Sequence, residues 1–163
     1  MQIENQLSNR WVKCYIGKVK TSSFANFGCY LFCWTYIYSL KLGKQISPLA
    51  VDKMFVDNGV YDGDQIINEK AAAVLGLKYL GHCEDINNPP KWSPSVKRVD
   101  YSARQGKQYH FVVRTVVDGN NVILDPIDGV QRDINYYEKK VKIDTGKPSA
   151  WGDGGFSYRL IKI

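Results

Sequence analysis

Between Gln108 and Pro126 two apolar, β-branched runs flank Asp118-Gly119, a pattern that commits this part of the chain to an antiparallel hairpin. Asp-Gly is a favoured centre for a two-residue type I′ turn, and this turn pairs Val117 with Asn120 and hence Val112 with Asp125. Side chains alternate along a strand, so His110 and Val112 share a face. Asp125 points to the same side, one diagonal from His110, about 7 Å between backbone positions. A turn moved to Gly119-Asn120 keeps the face but lengthens the distance. His110 sits early in an apolar strand and needs a polar partner; Asp125 is the one the hairpin offers.

Upstream the chain reads as helical. Residues 1–22 are polar, with a short strand expected at Trp11–Val19. From Phe27 to Gly43 the residues are apolar nearly all round, which predicts a buried helix closed by Gly43. Ser47-Pro48 supplies a cap and a first-turn proline for a helix to about Asp57, stopped by Asn58-Gly59. Asp62-Gly63-Asp64 is expected to cap a third helix, Gln65 to Leu75, ended by Gly76. Residues 81–107 carry Pro89, Pro90 and Pro94 and read as a long loop, in which Trp92 and Tyr101 are placed to frame a groove or simply to pack. Strands follow at 108–117, 121–125, 130–143 and 156–163. Helices first and strands later predict an α+β fold of segregated layers in a single domain spanning 1–163.

A thiol attacks only as thiolate, and the N-terminus of a helix favours that negative charge. Cys29 stands where the buried helix is expected to begin. Gly28 lets backbone approach a substrate, and the Cys29 N–H is a natural oxyanion donor. Cys33, one turn on, is expected beneath it as a core residue. The only histidines are His82 and His110. His82 reads as a surface residue, which leaves His110 as the base. Cys29, His110 and Asp125 then take the roles of nucleophile, base and orienting carboxylate. Asp125 accepts the His110 Nδ1–H in this reading, and Nε2 exchanges the proton with Cys29. The plainer alternative is a structural His110–Asp125 hydrogen bond with buried, inert cysteines.

With 22 basic and 16 acidic residues the net charge is +6, which favours contact with an anionic surface. Lys and Arg are scattered, with only short clusters such as Lys139-Lys140-Val141-Lys142, so a solvated basic face fits better than nucleic-acid binding. The cysteines at 14, 29, 33 and 83 lack the paired spacing of a zinc site, and no cofactor motif is present. No apolar run has the length to span a membrane. Residues Met1–Gln6 lack a signal pattern. The expected setting is therefore cytosolic or cytosol-assembled, virion association included, with reduced thiols.

Gly28-Cys29 opening an apolar helix, Ser47-Pro48-Leu49 opening the next, the run Gly59–Gly63, and His110-Phe111-Val112-Val113 with Leu124-Asp125-Pro126 resemble the papain-like cysteine peptidases related to the double-glycine leader (bacteriocin-processing) peptidases. The resemblance covers roughly residues 25 to 130. It implies a papain-like fold, with the central helix starting at the Cys and packed on a C-terminal antiparallel sheet. It also implies Cys29, His110 and Asp125 as the triad. The family usually carries a Gln several residues before the Cys as oxyanion donor; here residues 22–28 hold none. Asn26, Ser23, or Gln6 reaching in from the N-terminal segment are the substitutes. Losing one such donor typically costs about two to three powers of ten in rate.

Two functions from different classes follow as expectations. One is a cysteine peptidase or amidase acting on peptides, bacterial cell-wall peptides among them, in a bacterial or phage setting. The other is a non-catalytic module of the same fold in a virion or toxin complex. Acyl transfer through the same thioester differs from hydrolysis only in the acceptor.

Overall fold

The computed structural model describes residues 1–18, 21–83, 94–100, 109–137, 139 and 157–163. The chain opens with irregular backbone that nevertheless buries Ile3, Trp11 and Ile16. The strand expected at 11–19 is not formed: Asn9–Trp11 is a 3₁₀ turn, and Tyr15 makes only an isolated bridge to Ser23. Packing explains the difference. Trp11 turns inward against Phe24 and Phe32, with ring centroids 5.9 and 5.6 Å away, so the segment follows the core and not a partner strand.

Helix α1 (Phe24–Phe27) is capped by the Ser23 hydroxyl, which accepts from the Asn26 N–H. Gly28 then joins it to α2 (Cys29–Leu42). A side chain at Gly28 is impossible without rearrangement, because an added Cβ stands 2.4 Å from the Phe24 carbonyl oxygen. Helix α2 is the buried helix the sequence predicts, with Leu31, Phe32, Cys33, Trp34 and Ile37 out of solvent. Its polar members are satisfied locally: the Thr35 and Ser39 hydroxyls donate to the carbonyls of Leu31 and Thr35, each at 2.8 Å. Helix α3 (Pro48–Asp57) starts at the Ser47 cap as expected.

The third predicted helix is shorter than the sequence indicates. Tyr61–Asp62 (β1) and Gln65–Ile66 (β2) pair as a small hairpin, and α4 runs only from Asn68 to Leu75. Asp64 does not cap a helix, because its carboxylate accepts from the Ser22 hydroxyl at 2.5 Å.

The remaining strands are β3 (Lys78–Cys83), β4 (Ser95–Asp100), β5 (Tyr109–Val117), β6 (Asn120–Asp125), β7 (Val130–Asp133) and β8 (Ser157–Lys162). They form one antiparallel sheet in the order β3-β8-β4-β5-β6-β7. The long loop expected over 81–107 is thus corrected by β3 and β4. Lys97 and Arg98 disguised β4, yet Lys97 is buried with its Nζ donating to the Ile134 carbonyl at 3.1 Å. The rest of that stretch, with Trp92 and Tyr101, lies outside the described residues. So do Lys140–Lys142 and Phe156 at the ends of two predicted strands. Strand β7 stops at Asp133 and not at 143; the Asp133 carboxylate accepts the Asn135 N–H at 2.9 Å and turns the chain.

The hairpin of β5 and β6 has the predicted register, Val117 opposite Asn120. Asp118 and Gly119 have φ of 50° and 79°, the doubly positive geometry of a type I′ turn. One face of the sheet carries Val96, Val113 and Ile161 into the main core with α2; the other carries Val99, Val112 and Ile123 against Tyr137. The fold is α+β, and among the described residues no helix is long and apolar enough to cross a membrane.

Candidate active site

Gly28 brings α1 and α2 into close succession and sets Cys29 at the first residue of α2, where backbone N–H groups lack intrahelical acceptors. Helix α2 packs on β5, whose second residue is His110. His110 hydrogen-bonds Asp125 and lies close enough to Cys29 for the two side chains to interact. The predicted trio is therefore together in space, with Cys29 and His110 buried and Asp125 fully so.

The nitrogen assignment differs from the sequence expectation. His110 Nε2, not Nδ1, lies 2.6 Å from Asp125 Oδ1. A diagonal pair is bridged by the atom farthest from the backbone, so Nε2 is the nitrogen that spans to β6. Asp125 Oδ1 also accepts the Ile127 N–H at 3.0 Å. Its Oδ2 accepts from the Tyr137 hydroxyl and lies 3.3 Å from Arg132 Nη1. Tyr137 additionally sets its ring edge-on to the imidazole, centroids 5.8 Å apart.

These contacts decide the charges. Burial pushes the His110 pKa down, but hydrogen bonds to Asp125 and Cys29 outweigh it and raise the group to about 9. Burial pushes Asp125 up, and the bonds from His110, Tyr137 and the Ile127 N–H outweigh that, holding the carboxyl below its ordinary range. At neutral pH the pair is imidazolium and carboxylate. Cys33 is fully buried, and burial first, then Cys29 and Asp125, push its thiol well up; it is the inert core thiol the spacing predicts. His82 is exposed on β3.

Cys29 opens on a cleft of about 480 Å³, lined also by Asn26, Phe27, Tyr30, Asn68, Arg98, Phe111 and Arg159. Of the three oxyanion candidates, Asn26 is exposed and lines this cleft. The Ser23 oxygen is engaged in the α1 cap. Gln6 is 3% exposed. Its Nε2 donates to the Ala25 carbonyl at 2.9 Å and its backbone N–H to Pro126 O at 2.6 Å, so it ties the N-terminal segment to both sides of the site without lining the cleft.

Sequence reasoning missed Tyr137 and Arg132, the partners of Asp125 Oδ2. Both follow β6 closely in the chain, but only the return of 130–137 over the sheet reveals them. Among the described residues no group of His, Cys, Asp and Glu is arranged to hold a metal. No family model matches this chain, and no curated protein matches it in sequence.

Proposed function

We propose that this protein is a papain-like cysteine peptidase or amidase, with Cys29 as nucleophile, His110 as acid and base, and Asp125 as the orienting carboxylate. The observation that carries the reading is the buried His110–Asp125 bond, whose imidazole also lies against a cysteine at a helix start beside a cleft. In the reaction Cys29 and His110 act as a thiolate–imidazolium pair, the form in which the sulfur attacks and the imidazole carries the proton it delivers. Cys29 Sγ attacks the substrate carbonyl carbon, and the oxyanion is met by first-turn N–H groups of α2 and by Asn26. The C–N bond breaks as His110 delivers its proton to the departing amine, leaving a thioester on Cys29. Water then attacks, gives its proton to His110, and releases the acid with Cys29 returned as thiolate.

The substrate class is peptide. The basic net charge of +6 suits approach to an anionic polymer such as a cell wall, so cell-wall peptides are the first class to assay. The deciding experiment is iodoacetamide labelling with peptide mapping across pH 5–9, on wild type and His110→Ala. Selective labelling of Cys29 with a depressed apparent pKa, raised or lost in the variant, supports the reading. Slow thiols indifferent to His110 reject it.

One observation favours a non-catalytic module instead. Neither Ser23 nor Gln6 lines the Cys29 cleft, so exposed Asn26 is the one of the three side-chain oxyanion candidates that does. Activated Cys29 with no peptide turnover would support that second reading.

A further inference from the structure

Two arginines line the cleft beside Cys29, Arg98 on β4 and Arg159 on β8. The register pairs Val96 with Arg159 and Arg98 with Ser157, which makes the arginines diagonal neighbours on one face of the sheet, about 7 Å apart at the backbone. Arg98 is also directly opposite Phe111 on β5. Arg159 lies over the Phe111 ring, 5.8 Å from its centroid. Phe111 in turn stacks on Tyr30, centroids 4.2 Å apart and planes 24° from parallel. The Tyr30 hydroxyl donates to Asn68 Oδ1 at 2.5 Å. An Arg–Phe–Tyr stack thus runs from the sheet to the residue immediately after Cys29.

Two arginines on one face of the sheet at the mouth of a cleft attract a negatively charged group toward it. The planar fork of Arg matches a carboxylate in two parallel hydrogen bonds, and aromatic support holds it in orientation. We infer that Arg98 and Arg159 form a carboxylate-recognition subsite of the Cys29 cleft, so that the preferred substrate is a peptide carrying a carboxylate close to the bond attacked. The inference rests on the thiol chemistry proposed above. Two sources share this chemistry: an acidic side chain and a C-terminal α-carboxylate.

The test compares alkylation of Cys29 by iodoacetate, which bears a carboxylate, with alkylation by neutral iodoacetamide, in the full chain. The iodoacetate-to-iodoacetamide rate ratio at Cys29 falls roughly tenfold in Arg98→Gln and in Arg159→Gln. It stays unchanged in Lys44→Gln, which removes the same charge at an exposed site away from the cleft. Arg159→Lys, keeping the charge but losing the fork, falls between. Protection of the wild-type thiol from iodoacetamide by three peptides needs no variant to fold: Ac-Ala-Glu-Ala-NH2, Ac-Ala-Ala-Ala-OH and Ac-Ala-Ala-Ala-NH2. Stronger protection by the first assigns the side-chain source, and by the second the terminal carboxylate. Equal protection by all three, with a ratio indifferent to both arginines, overturns the subsite while leaving an activated Cys29 intact. A Cys29 no faster than Cys14 toward either reagent rejects the thiol reading and the subsite with it.

Discussion

Asp125 Oδ1 lies 2.6 Å from His110 Nε2, with the side chains 0% and 4% exposed respectively. A charged pair this deep is tolerated only if its remaining hydrogen-bonding capacity is used. Here it is: Ile127 N–H shares Oδ1, and Tyr137 and Arg132 attend Oδ2. The pair is thus a fixed element onto which α2 delivers Cys29.

The two shifts set a pH window for stability. His110 is raised from 6.5 to about 9, so its contribution is complete below pH 6.5 and is lost as pH rises through about 9. Asp125 is lowered from 3.8, so its contribution is complete above that value and is lost as pH falls through the depressed one. Thermal unfolding should show wild-type Tm declining from pH 6.5 to 9.5 more steeply than that of His110→Gln. Parallel profiles would show that no such proton is held. On the proposed thiol chemistry, turnover should also fall through an apparent pKa near 9, as the leaving group loses its proton donor.

Asp125→Ala removes the acceptor of His110, Tyr137 and Ile127 N–H together. Breaking a buried pair of this kind costs about 3–5 kcal/mol, readable as a drop in the urea midpoint. Asp125→Asn keeps the shape and should retain most of the stability while slowing Cys29 alkylation at neutral pH. Equal losses in both variants would argue against a role for the charge.

Tyr137→Phe deletes one hydroxyl and leaves the ring packing against His110. The expected loss is about 1 kcal/mol, with the acid limb of the Tm profile moved to higher pH because Asp125 loses a stabilising donor. An unmoved acid limb would remove Tyr137 from the set of positioning residues.

Gly28→Ala forces a backbone shift, since its Cβ meets the Phe24 carbonyl oxygen. Overpacking of this type costs roughly 1–3 kcal/mol. Because Gly28 precedes Cys29, the same shift should erase the selectivity of Cys29 over Cys14 toward iodoacetamide. Unchanged Tm and unchanged labelling would mean the α1–α2 junction yields freely.

Asn26→Ala should cut turnover about 10²- to 10³-fold while leaving alkylation of Cys29 untouched, the signature of an oxyanion donor. Gln6→Ala, by contrast, should lower stability first, because Gln6 joins the N-terminal segment to Ala25 and Pro126. A rate loss in Gln6→Ala at wild-type stability would reassign the donor to Gln6.

The β5–β6 hairpin was legible because everything it needs is local. A two-residue turn fixes register, alternation fixes the face, and together they place His110 one diagonal from Asp125. Helices α2 and α3 were legible for the same reason, through an apolar run ended by Gly43 and a Ser47-Pro48 start. Strand β4 was not, because Pro89, Pro90 and Pro94 mark the stretch as loop, and Lys97 and Arg98 break any apolar strand pattern until the fold supplies a carbonyl for one and a cleft for the other. Asp64 was misjudged as a cap because Ser22, its actual partner, is 42 residues away.

Long-range closure decided the rest. The C-terminal strand β8 inserts between β3 and β4, pairing segments some 60 to 80 residues apart, and nothing in its own residues names those neighbours. That insertion is what carries Arg159 into the cleft of Cys29, and the return of the chain after β7 is what sets Tyr137 on Asp125. Residue types and short spacings determine which groups this chain has for chemistry and which turn presents them. Which nitrogen of His110 faces which partner, and which charges surround Cys29, depend on packing between elements whose contacts no local pattern encodes.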